Sequence, residues 1–135
     1  MAKATDIRVI GATLYFLPVQ TRVQLKFGPE TLTEVTCARA CVKVADEKGQ
    51  VAQGWGETPL SVQWVWPSAT AYEERRRALK DFCVELTESW AGNSARGHPM
   101  EMGQDFLEGI LPGCLAEFNG RRAAVTEHPT RGSQA

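Results

Sequence analysis

The residues of this chain that could do chemistry gather in two stretches. In the first, residues 18–32, Arg22 and Lys26 supply charged hydrogen-bond donors able to hold a carboxylate. Val19, Val23, Leu25 and Phe27 make the stretch too apolar for an idle linker, and Gly28 permits a sharp turn beside Phe27. Two readings fit it: a binding loop, or a segment folded back onto the edge of a sheet. The second stretch, residues 54–67, reads Gly-Trp-Gly-Glu-Thr-Pro-Leu-Ser-Val-Gln-Trp-Val-Trp-Pro. Glycines on both sides of Trp55 allow a tight backbone path, and Glu57 can accept hydrogen bonds there. Tryptophan in a loop lines a pocket or fills an interface; the alternative is a core anchor for helices, above all for Trp64 or Trp66.

Neither stretch holds a complete catalytic set. There is no Ser-His-Asp arrangement, no phosphate-cradling glycine loop and no carboxylate cluster suited to Mg²⁺. A zinc site from Cys37, Cys41, Cys83 and His98 would need a spacing the chain lacks. Three residues separate the first two cysteines, and no second pair follows. The cysteines then serve as small apolar residues.

These stretches need elements to hold them. Residues 6–17 alternate as a β-strand, with Ile10, Ala12, Leu14 and Phe16 on one face, and Pro18 is expected to end its pairing. Residues 33–45 form a second strand with Thr36, Ala38, Ala40, Val42 and Val44 on its even face. Asp46-Glu-Lys-Gly49 is a turn, and residues 51–57 return as a third strand. The period then changes. Thr70 and Glu73 match a capping box, and Leu79, Phe82, Cys83, Leu86 and Trp90 form the stripe of an amphipathic helix that stops at Gly92-Asn93. Glu73, Glu74, Arg75, Arg76, Lys80 and Asp81 read as its solvated face. A second helix begins at Pro99, with Met102, Phe106 and Ile110 on one side, and is expected to end at Pro112. Residues 1–118 therefore read as one α+β domain, and residues 119–135 as a polar, disordered tail.

Composition narrows the function. The 135 residues carry 15 Lys+Arg against 16 Asp+Glu, so no basic excess draws the chain to nucleic acid or anionic lipid. No apolar run reaches bilayer length, and the N-terminus leads into no signal core, which reads as cytoplasmic. The apolar stretches without reacting groups suggest a lid for chemistry housed elsewhere.

The segments Thr21-Arg-Val-Gln-Leu-Lys-Phe-Gly28, Thr33-Glu-Val-Thr-Cys-Ala-Arg39 and Gly54-Trp-Gly-Glu-Thr-Pro-Leu60 resemble, in that order, one known domain. It is the N-terminal capping domain of the enolase superfamily, nearest to the mandelate racemase/muconate lactonizing enzyme branch. The resemblance covers residues 6–118 and implies a three-stranded antiparallel meander leading into a small helical bundle. It implies that two segments close over the mouth of a modified β/α barrel. By that resemblance Arg22, Lys26, Phe27 and Gly28 of the first segment, and Trp55, Glu57, Thr58 and Leu60 of the second, contact a small carboxylic acid. The parent reaction it implies is Mg²⁺-assisted removal of the proton α to a carboxylate, leading to racemisation, cycloisomerisation or dehydration. The family's acid–base residues and Mg²⁺ ligands lie on a barrel that these 135 residues do not contain. The resemblance therefore implies no catalytic residue, metal or cofactor in this chain, and no turnover by the chain alone. It also implies a truncated or frameshifted product, or a fragment, whose exposed apolar surface self-associates. A rival reading is a free-standing α+β module that binds a protein partner through its apolar loops.

Overall fold

The computed structural model describes residues 1–127. They form an α+β fold, in two compact units divided after Pro99. In the first unit, strands β1 (Ile7–Phe27), β2 (Glu30–Asp46) and β3 (Val51–Pro59) precede helices α1 (Val62–Val65) and α2 (Tyr72–Ala91). A two-residue strand, β4 (Arg96–Gly97), completes an antiparallel sheet of order β3-β2-β1-β4.

The segment 18–32 is not an irregular loop. β1 runs on through Phe27 and turns back at Gly28-Pro29 into β2, with Phe27 opposite Glu30 and Leu25 opposite Leu32. Gly28 sits at φ 57°, a conformation glycine adopts freely, and proline follows with its fixed φ, so the turn chemistry suits a two-residue hairpin. Pro18 does not end the pairing either; it lies opposite Thr36. The Thr36 carbonyl accepts a hydrogen bond from the Leu60 amide on the β3 side. Backbone groups alternate in direction along a strand, so the Thr36–Pro18 pair exchanges no hydrogen bond and the proline nitrogen faces the open edge of β1. A proline costs little there.

At the other end of the sheet, Asp46 holds the turn into β3. Its Oδ1 accepts from the amides of Lys48 and Gln50 at 2.9 and 2.8 Å, and Gly49 takes φ 81°, as the turn residues predict. On the even face of β2, α2 packs against the sheet: Lys80 Nζ lies 4.8 Å from the Phe16 ring centre, and Arg76 reaches Thr36. Buried here are Thr36, Ala38 and Ala78, and Val62 of α1 is fully enclosed. Trp64, by contrast, is 75% exposed, so Val62 rather than Trp64 is the anchor of α1.

The capping box at Thr70 does not form. Ala71 precedes the first helical residue without a side-chain cap, Thr70 instead bonds Ser68, and Glu73 is taken by Arg76.

The second unit takes up α3 (Pro99–Asp105) from its second residue, followed by a wide π turn (Phe106–Ile110) and α4 (Leu111–Glu127). Met102 and Phe106 are buried, as their spacing predicts. Pro112 does not stop the helix. The Leu111 amide reaches back five residues to the Phe106 carbonyl, and this widened turn absorbs the proline ring that an α-turn would set against the preceding carbonyls. Helix α4 continues past Asn119, where the sequence places the start of the tail; the remainder of that segment, 128–135, lies outside the described residues. Among the described residues no helix is long and apolar enough to cross a membrane.

Candidate functional site

Pro59, at the end of β3, lies opposite Cys37, which lies opposite Leu17. Residues 18–36 therefore extend past the end of β3 as a two-stranded arm. The Leu60 amide ties that end to the arm's base, donating to the Thr36 carbonyl at 2.8 Å.

The arm carries the first group of predicted contacts. Its register breaks once: Gln20 faces Glu34, yet Leu25 faces Leu32, so four residues on β1 oppose only Thr33 on β2. Thr21 Oγ1 donates to the Thr33 carbonyl at 3.1 Å and pins one side of this bulge. Arg22 and Val23 ride on it, both exposed. Bulges of this kind re-aim side chains at the rims of sites. Lys26, opposite Thr31, is also exposed, and Phe27 and Gly28 lead into the turn.

The second group divides between the two faces of the sheet. Trp55, opposite Cys41, stacks on Tyr15 with ring centres 6.0 Å apart and planes at 25°. Both rings stay open to solvent, at 60% and 47% exposure. On the same face Glu57 Oε2 accepts from Arg39 Nε at 2.7 Å. A shallow cavity of about 330 Å³ lies among Arg39, Trp55, Gly56 and Glu57. On the same face Cys37, opposite Pro59, and Cys41, opposite Trp55, are buried. Burial, then the neighbouring Glu57 carboxylate, pushes the Cys37 thiol above its ordinary pKa. Thr58 lies on the other face, opposite Ala38 and exposed. Leu60 is buried, so it belongs to the frame at the arm's base rather than to an open contact surface. Trp55 and Glu57 are thus brought together, in the wall of a cavity that neither Arg22 nor Lys26 lines.

A second constellation escapes the sequence reading. Arg75, expected on the solvated face of α2, is only 2% exposed. Its Nη2 donates to Glu30 Oε1 at 2.8 Å and its Nη1 to the Trp66 carbonyl at 2.8 Å. One guanidinium thus clamps the arm's turn and the α1–α2 connection to the helix. Its neighbour Arg76 donates to Glu73 at 2.8 Å and to Thr36 Oγ1 at 3.3 Å. Hydrogen bonding to Arg76 holds the Glu73 carboxyl below its ordinary pKa, and burial pushes the Tyr72 phenol up. A cavity of about 410 Å³ opens between the arm and α2, with Glu34, Gln63, Tyr72, Glu73 and Arg76 in its wall. The signal for Arg75 was present. Four residues before Leu79, it continues the apolar stripe toward the helix start.

Among the described residues no three His, Cys, Asp or Glu side chains gather as metal ligands. No protein-family model, curated protein or solved structure matches the chain.

Proposed function

We propose that this chain acts as the capping domain of an enolase-superfamily enzyme, in the branch of mandelate racemase and muconate lactonizing enzyme. On this reading β1, β2 and β3 are the family's meander, and the helices after them its small bundle. The observation that supports the reading is the exposed two-stranded arm of residues 18–36, whose base is tied to the end of β3 by the Leu60–Thr36 hydrogen bond. A lid needs an overhang with donors and a fixed root. The arm supplies Arg22 and Lys26 on exposed positions, and Arg75 holds its turn.

Arg22 and Lys26 would hold the distal polar end of a small carboxylic acid while the arm excludes water from it. Proton removal α to the carboxylate would take place on a barrel, with Mg²⁺ bound there; no residue of this chain is asked to ligate the metal. The chain by itself would turn nothing over. Lys26 stands on an exposed arm, whereas a base needs a fixed position within hydrogen-bond reach of the substrate proton.

Translation of the nucleotide sequence beyond codon 135 in all three frames tests the reading. The expected result is a run of barrel strands bearing Lys-x-Lys and strand-end Asp or Glu. Finding no barrel there or in adjoining genes would overturn it. A second reading has its own observation: the open Tyr15–Trp55 stack suits a free-standing interaction module.

A further inference from the structure

We propose that the outer rim of β3 is a self-association edge, pairing antiparallel with β3 of a second copy to join two sheets into one. The inference does not depend on the capping reading.

The backbone sets the geometry. β3 has β2 on one side and, among the described residues, no strand on the other, and all nine of its residues are exposed. Its register with β2 is unbroken from Val51 to Pro59. At the two ends, the Leu60 amide bonds Thr36 and the Asp46 amide bonds the Gln50 carbonyl. Those bonds fix the alternation: even-numbered residues of β3 direct their N–H and C=O groups to β2, and Val51, Gln53, Trp55 and Glu57 direct theirs outward.

An open edge of this kind is usually blunted by lysine, proline or a bulge. The outer side of β1 has such devices, namely Pro18, the bulge at residues 21–24, and Lys26. β3 has no lysine or arginine and no bulge, and its proline is the last residue. Its single charge, Glu57, is already matched by Arg39.

The edge is complementary to itself. A two-fold axis through Trp55 sets Trp55 opposite Trp55, and the pair exchanges two hydrogen bonds. Gln53 of each copy then faces Glu57 of the other, an amide donor against a carboxylate, so no like charges meet. Gly54 faces Gly56, and neither has a side chain to obstruct the approach. The Tyr15–Trp55 stacks of the two copies align into one aromatic row across the joint.

Sedimentation equilibrium on the purified chain, with amide hydrogen exchange by NMR at low and high protein concentration, tests the proposal. The expected result is a reversible dimer in which the amides of Val51, Gln53, Trp55 and Glu57 gain protection with concentration, while those of Ala52, Gly54 and Gly56 are protected throughout. Gln53→Glu places like charges opposite each other twice and should weaken the dimer about tenfold, whereas Gln53→Lys should not weaken it. A monomer at every concentration overturns the proposal. So does a dimer without protection of the outward amides, which would mean association through the aromatic face, and so does equal weakening by both variants.

Discussion

Arg75 and Glu30 stand 45 positions apart in the chain, and 2.8 Å separates the guanidinium of one from the carboxylate of the other. The pair fastens the turn of the arm to the first turns of α2. Glu30 is about one-third exposed and can rehydrate when released; Arg75 is enclosed. Arg75→Met keeps the buried stem and removes two charge-assisted hydrogen bonds. The expected loss is about 2 kcal/mol, read from the urea midpoint. Hydrogen exchange should accelerate most at residues 30–34. A uniform rise across the sheet would show that Arg75 supports the whole fold and not the arm.

Gly28 makes the arm's turn at positive φ. Alanine there meets no neighbouring atom, so any cost is conformational. Gly28→Ala should destabilise by about 1 kcal/mol, with cross-strand contacts near Leu25 and Leu32 weakened first in NMR spectra. Unchanged stability would mean that the turn adopts another geometry.

How far the sequence foretold these features depends on the range of the physics involved. The alternation of β2, the Asp46–Gly49 turn and the buried Met102 and Phe106 are local patterns, and they were readable. Pro18 and Pro112 misled because each proline is harmless only in its particular setting. Pro18 faces an open edge, which requires knowing the sheet order; Pro112 follows a π turn, which no residue type announces. The charge of Arg75 points to solvent, whereas its position on the helix stripe points inward. The candidate contacts were legible as two segments; that Trp55 pairs with Tyr15, while Leu60 is enclosed, depended on strand register.

Thiol chemistry offers a separate check. Burial, then the Glu57 carboxylate, raises the Cys37 pKa, and burial raises that of Cys83. Both groups stay largely protonated near neutrality and should react slowly. Iodoacetamide labelling at about pH 8, followed by peptide mapping, should modify them at least about tenfold faster in denaturant. Glu57→Gln should speed labelling at Cys37 and leave Cys83 alone. Rapid native labelling at Cys37 would contradict its buried position between Leu17 and Pro59.

Acid should remove one contribution selectively. Glu73 titrates below its ordinary value of 4.5 because it accepts hydrogen bonds from Arg76. A depressed carboxyl stabilises the fold above its unfolded pKa and loses that effect as pH falls through the folded one. Wild type and Glu73→Gln should therefore differ in thermal midpoint at neutral pH and converge in acid. A gap that persists at low pH would mean that the glutamate contributes by packing and not by charge.

The bulge that lets four residues of β1 face one of β2 gives the arm built-in slack. A residue gained or lost among Thr21–Gln24 changes how far Arg22 reaches without sliding Leu25 against Leu32 or turning the strand's faces over. The reach of the arm can thus vary by single insertions and deletions while its turn, its clamp and the sheet beneath keep their registration.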